Sequence, residues 1–390
     1  LRYFHTEEHR KYYYGSRDLD GPLAYTYGPY DTKINGMQSQ ITANWSFLEI
    51  TGGVDWTEFK TQDYGYNYAK SPAVTHSDKA GFLIGKLRLF NEKLIVNAGV
   101  RYDEYKVELE GFKSATPTNL TPSFGVAFLP LDWVKLRANY AEGFHLPTPN
   151  QLTRDVISGG VHYIANPDLD PYTSESFEIG VDVFQDWWDA YVTYFHSKYT
   201  GQVRSAATGA FDDNGLPVVE YFNSSQGTTY AGIEFGGKLN IGGLLNWKSY
   251  FGPYMKATHF TARRAYREAT RAYETDTEIP DWVVAYGLDF DNPDIKFSFN
   301  INASYVGRAR VQNWSPINRP NVPYQGYFIA PSYTIVDLLF KKEIFSLSDD
   351  KHKVTLNLAI RNVLNKYYES RVDYPGPGRN FFVSLRYDYN

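Results

Sequence analysis

The chain has 390 residues, a formal net charge of −5 and no cysteine, which sets aside a nucleic-acid partner, a disulfide scaffold, zinc–cysteine sites and thiol nucleophiles. Mean hydropathy is −0.46 and no run approaches the ~18 apolar residues of a spanning helix, so a helical membrane protein is excluded. A membrane β-barrel escapes that test because half of every strand is polar; it shows itself by alternation and aromatic girdles, and aromatics here reach 17% with 34 Tyr and 8 Trp.

In chain order, alternating segments predict strands at 1–14, 32–46, 48–60, 79–91, 93–108, 119–130, 133–144, 172–185, 187–200, 219–241, 244–261, 278–292, 294–306, 331–344, 353–365 and 378–390. The first connection is long, the next short, and that alternation continues to the end. Short ones include Ser46-Phe47, Asn91-Glu92, Gln185-Asp186 and Asn292-Pro293; long ones fall at 15–31, 61–78, 109–118, 145–171, 201–218, 262–277, 307–330 and 366–377. Bacterial outer-membrane barrels have this asymmetry, with short periplasmic turns and long outer loops.

The two faces of each strand agree with that reading. Leu48, Ile50, Val54 and Trp56 oppose Glu49, Thr51, Asp55 and Thr57; Val96, Ala98, Val100 and Tyr102 oppose Asn97, Arg101 and Asp103. Charges gather on one face, as expected where Lys or Arg on the lipid side costs about 2–4 kcal/mol at the midplane. The strand at 331–344 alternates less cleanly. Leu1 begins almost directly in a strand pattern, with no initiator Met and no signal peptide, so the expectation is that an upstream segment has been removed.

At Phe144-His145-Leu146-Pro147 and Asn166-Pro167-Asp168-Leu169 the chain resembles the TonB-dependent receptors of Gram-negative outer membranes. SESFEIGV, YAGIEFGGKL, RNVLNKYY and YPGPGRNFFVSLRYDY follow in the family's order. The resemblance implies an all-β, transmembrane antiparallel β-barrel. About sixteen strands would be the later part of a 22-strand-type barrel. On this reading residues 1–390 are a single partial barrel domain, without the N-terminal plug and the first strands. A second chain supplying them, or a self-closed pore, is the other way to complete the wall. The implied function is uptake of a bulky scarce nutrient, a ferric siderophore foremost, energised by the TonB complex through a plug outside this chain. A passive porin-like or structural barrel is the alternative.

The resemblance also implies site residues. Glu178 and Glu234 stand where the family places lumen carboxylates that pair with plug arginines. His145, His162 and Tyr163 lie around the long loop where haem receptors carry a histidine. From its residues alone, the segment 262–277 holds Arg263, Arg267 and Arg271 at a spacing that would line one face of a short helix and hold an anionic chelate; binding of lipopolysaccharide phosphates, or pairing with Glu268 and Glu274, is an equal alternative. Trp314 and Tyr324 are aromatic loop residues suited to capturing such a chelate or to the membrane interface. Outer-membrane lipid and lipopolysaccharide are expected partners, no cofactor or metal site is expected, and no enzyme signature is present.

Overall fold

The computed structural model describes residues 1–14, 25–63, 73–111, 114–153, 155–158, 160–267, 271–312, 327–347, 351–371 and 374–389. Among these, eighteen strands belong to the main sheet. The chain divides into two compact units, Leu1–Ala127 with Asn139–Phe177 and Lys198–Thr228, and Phe128–Ala138 with Glu178–Ser197 and Thr229–Asn390.

In the first unit the strands Arg2–Tyr14, Tyr25–Asn44, Leu48–Asp63, Val74–Leu89 and Leu94–Leu109 pair antiparallel, each with the next. Their registers place side chains in rows. One face stacks Ser39, Val54, Gly81 and Tyr102, then Ile41, Gly52, Leu83 and Val100, then Ala43, Ile50, Gly85 and Ala98. Ile41, Val54 and Leu83 are more than half exposed. The opposite face carries Gln38, Asp55, Ala80 and Asp103 in one row. Large apolar groups left open on one side of a sheet, against a polar row on the other, are the signature of a wall whose outer solvent is hydrocarbon.

Trp56 to Leu48 spans the ~9–11 residues a tilted strand needs to cross. At the Trp56 row, which also holds Lys79 and Glu104, the expected segregation of charge ends. The same face then carries Glu58 and Lys60, with Asn35 and Lys33 beside them. These strands therefore continue past the apolar zone toward the long connections. At the short connections, exposed aromatics gather instead: Trp45, Phe47 and Phe90 in this unit, and Trp133, Trp187 and Trp247 in the other. Rings with one polar edge sit well at a membrane–water interface.

The second unit contains an antiparallel run of Tyr250–Arg267, Trp282–Asn292, Phe297–Val306, Tyr333–Leu347, His352–Arg361 and Asn380–Tyr389. Leu288, Ile301, Leu338, Ile360 and Phe381 share a row, and Asp291, Ser298, Lys341, Asn357 and Ser384 share one of opposite parity. Leu339 and Phe382 fall on the polar side, which is why the segment at 331–344 alternates poorly.

The turn after His352–Arg361 is fixed by one side chain. Asn362 is 2% exposed, adopts φ +49° and accepts the Lys366 N–H through Oδ1, while Nδ2 donates to the carbonyls of Lys366 and Pro377. Its own N–H donates to Asp337. Asn362→Ala is expected to strand these partners and lose the side chain that tolerates a left-handed backbone, costing about 2–3 kcal/mol. A urea midpoint unchanged in refolded protein would contradict that role.

Two expectations are corrected. The strand expected at 219–241 is two strands, Pro217–Asn223 and Thr228–Leu239, broken at Ser224-Ser225-Gln226-Gly227, and the strand expected from 244 begins at Tyr250 because Asn240 caps a short helix, Ile241–Leu244. The arginine segment is not helical. The strand Tyr250–Arg267 turns back into Ala272–Thr275, pairing Tyr266 with Tyr273 and Arg267 with Ala272.

Candidate functional site

The long connections 146–171 and 201–227 lie in the first unit and form a sheet of their own. Val156–Ser158 pairs antiparallel with Val161–Ile164, which runs parallel to Pro217–Asn223, itself antiparallel to Val203–Phe211. A parallel pair between two loops cannot come from a local hairpin. It joins segments ~55 residues apart in sequence into one body.

Local chemistry prepares that body. Thr148 opens the helix Pro149–Thr153 with a reciprocal cap: the Thr148 N–H donates to Gln151 Oε1 at 2.8 Å and the Gln151 N–H to Thr148 Oγ1 at 3.4 Å, with proline at the first helical position. The helix presents Leu152, which is 0% exposed among Val107, Ala115 and Leu169, with Val203 and Tyr221 packed against them. Two asparagines then tie the loops. Asn166 Nδ2 donates to the Tyr221 carbonyl at 3.0 Å, and Asn223 Nδ2 donates to the carbonyls of Asp170 and Gly201 while its Oδ1 accepts the Asp170 N–H.

His162 and Tyr163 lie in this loop sheet. His162 Nδ1 is 3.0 Å from Asp212 and Nε2 is 4.0 Å from Asp155, and Tyr163 stacks on Tyr221 with centroids 5.6 Å apart. His145 stands apart from them, stacked on Tyr172 at 4.9 Å. Asp212 is the hinge of the 212–216 turn, accepting the Leu216 and Asn214 N–H groups. The Leu216 bond above all, then those from Asn214 and His162, hold its carboxyl below the ordinary value of 3.8, against a smaller opposing effect of burial. A depressed folded-state value stabilises above the unfolded value and is lost as pH falls through the folded one. Protease cleavage within 201–227 is therefore expected to accelerate below about pH 4, and Asp212→Asn to show no such acid step.

The carboxylates of the wall have partners within the second unit. Arg137 Nε donates to Asp182 at 3.1 Å and Nη2 to Thr193 at 2.5 Å, Lys135 reaches Asp182 at 3.0 Å, and Glu178 stands 3.8 Å from Arg137. Gly180 makes that placement feasible, since a Cβ there would lie 3.1 Å from the guanidinium carbon. Glu178 is thus at the edge of a network centred on Asp182. Glu234 accepts a long bond from Thr258, at 3.5 Å.

Two of the arginines have neighbours close at hand. Arg263 donates to the Ile279 carbonyl and Arg264 lies over the Tyr273 ring at 5.2 Å. Arg271 is exposed in the turn, at φ +52°. The Arg267 side chain, Trp314 and Tyr324 lie outside the described residues.

One cluster escaped the sequence reading. Arg101 bonds Asp55 at 2.6 Å and Asp103 at 2.8 Å, with Asp78 at 3.9 Å, and Asp103 is 0% exposed. The signal was there: these residues occupy the polar face of three successive strands. No group of three metal-ligating side chains arranged for an ion occurs among the described residues.

A family profile described as TonB-dependent receptor-like β-barrel matches residues 1–363. The chain belongs to the TonB-dependent receptor family. TonB-dependent receptors are outer-membrane proteins of Gram-negative bacteria, and the family is one of receptors and transporters rather than enzymes. The heme/hemopexin utilization protein C of Haemophilus influenzae is 24% identical over 397 residues, covering 91% of this chain and 50% of the relative. The hemin receptor of Yersinia enterocolitica is 29% identical over 79% of this chain and 44% of the relative, and the vitamin B12 transporter of Vibrio vulnificus 22% over 88% and 48%. The chain spans about half the length of these curated relatives. The solved ferric enterobactin receptor of Pseudomonas aeruginosa superposes with a TM-score of 0.74 at 16% identity, over 98% of this chain and 58% of that one, a likeness that shows the fold. The TonB-dependent receptor barrel is therefore the architecture to which the antiparallel strands of the main sheet belong.

Proposed function

We propose that the chain is barrel wall and outer loops of an energised outer-membrane receptor that captures a bulky iron compound. It would act as one barrel domain together with a plug, which couples it to the TonB complex, supplied by the same or another polypeptide. The observation that carries this is the loop sheet. Two loops joined by parallel pairing, with a histidine and stacked tyrosines on them, form a preorganised surface suited to a large flat or chelated ligand. Glu178 and Glu234 would then receive plug arginines, Glu234 with the greater need of one. Family membership weighs against the passive pore.

The ferric siderophore remains the first ligand class. Haem is the second reading, and a specific arrangement favours it: Asp212 on Nδ1 of His162 orients the ring, as partners of ligating histidines do, so that Nε2, 4.0 Å from Asp155, is the nitrogen that would meet iron. Two relatives are named for haem or hemin. Titrating the receptor with hemin and, separately, with a ferric catecholate distinguishes the two. A Soret shift lost in His162→Ala supports haem; tyrosine fluorescence quenched by the catecholate alone supports the siderophore; saturable binding of neither, with steady conductance in a planar bilayer, would sink the receptor reading.

A further inference from the structure

Among the long connections of the second unit, three rings and two charged residues line one small cavity. Phe328 comes from the strand Tyr327–Ala330, which pairs with Ala309–Gln312; Tyr333 opens the wall strand Tyr333–Leu347; and Tyr368 directly precedes the short pair of Glu369–Arg371 with Tyr374–Pro375. With Pro331, Lys366 and Glu369 they surround about 230 Å³.

The chain around this cavity holds its walls in place. Tyr333 and Tyr368 pack ring to ring, with centroids 4.7 Å apart. The Gly376 N–H donates to the Tyr368 carbonyl at 2.8 Å, and a Cβ at position 376 would overlap the Tyr368 ring, so only glycine lets the two segments approach this closely. Asn362 fixes Lys366 by accepting its N–H and donating to its carbonyl. Walls set before a ligand arrives lower the ordering cost of binding it.

Size and charge then select the ligand. An apolar cavity of ~150 Å³ takes up benzene, so about 230 Å³ admits a single substituted ring and neither a porphyrin nor a chelate of three rings. Lys366 is exposed, its backbone groups are those that Asn362 engages, and its ammonium has no partner among the described residues. Glu369 accepts the Tyr367 hydroxyl, and a carboxylate has about four acceptor sites.

We propose that this cavity binds a small hydroxylated aromatic acid in its metal-free form, the ring against Phe328, Tyr333 and Tyr368, the carboxylate on Lys366 and the hydroxyl donating to Glu369. The apolar walls call for a ring, the ammonium for an acid, and the carboxylate for a proton donor, since a second anion beside Glu369 is repelled. A ferric complex fails on that last point, because oxygens bound to iron have given up their protons, and it fails on size as well. The site shares no residue with the loop sheet of the first unit and does not depend on which nutrient that sheet takes.

The test is equilibrium dialysis of the receptor, purified in mild detergent, against 2-, 3- and 4-hydroxybenzoate. At least one isomer should bind saturably, one per chain, and about tenfold tighter than benzoate or phenol, the worth of one hydrogen bond to a charged group. K366Q is expected to lower that affinity about tenfold and K366R to keep it, while E369A removes the preference over benzoate. Hemin and ferric catecholate binding should be the same in K366Q as in the unsubstituted receptor, which separates a failure here from a failure at the loop sheet. Saturable binding of none of the three acids, equal affinity for benzoate, unchanged affinity in K366Q, or binding of the ferric complex of 2-hydroxybenzoate as tight as that of the free acid would each overturn the proposal.

Discussion

Leu152→Ala is expected to detach the loop sheet from the strand Leu94–Leu109 while leaving the membrane wall intact. The side chain is 0% exposed and is the central member of the small cluster of Val107, Ala115 and Leu169. Truncating a buried leucine costs about 2–5 kcal/mol. Here the loss falls on a module with few other apolar anchors, so local opening absorbs most of it. Protease cleavage within 146–171 and 201–227 should accelerate at least tenfold, and affinity for the captured ligand should fall in step. Heat-resistant gel mobility, which reports the wall, should not change. Cleavage at the original rate would show that Asn166 and Asn223 hold the loops without the leucine.

Leu83→Arg addresses the wall itself. Leu83 is 53% exposed and shares its row with Ile41 and Val100. If that row meets hydrocarbon, a guanidinium there costs about 2–4 kcal/mol in a lipid vesicle. Gln38→Arg is the matched control, three register steps from the Leu83 row, on the opposite face and opposite Asp55. Its expected cost is near zero, since the new charge gains a carboxylate. Equal midpoints for the two variants in urea unfolding would contradict the assignment of faces.

The sequence disclosed the wall more fully than the loops, for a physical reason. A strand between lipid and a polar interior must alternate over its whole length, so Leu48 to Trp56 or Val96 to Tyr102 are legible one segment at a time. The turn at Ser224-Ser225-Gln226-Gly227 carried only polar turn residues inside a longer alternating run, and the break it makes passed as strand. Loop strands such as Val161–Ile164 are too short for periodicity to register, and their partner lies ~55 residues on. Asn166 and Asn223 gave no local sign that each would bond a carbonyl in the other loop. The arginines from 263 to 271 suit a helix by spacing, yet cross-strand pairs such as Tyr266 with Tyr273 make the hairpin the structure shows. His162 and Tyr163 were legible as candidates, whereas Asp212, which orients the histidine, was not, because it arrives from the second loop.

Because the chain has no cysteine, single cysteines can be placed along Leu94–Leu109 without a background reaction. Spin labels at positions 96, 98, 100 and 102 and at 97, 99, 101 and 103, in receptor reconstituted into bilayers, test the central claim that one face of this sheet is solvated by hydrocarbon. The even positions should collide with oxygen and be shielded from a water-soluble nickel chelate, and the odd positions should be shielded from oxygen. Two classes with the same accessibility, or the reverse order, would contradict it.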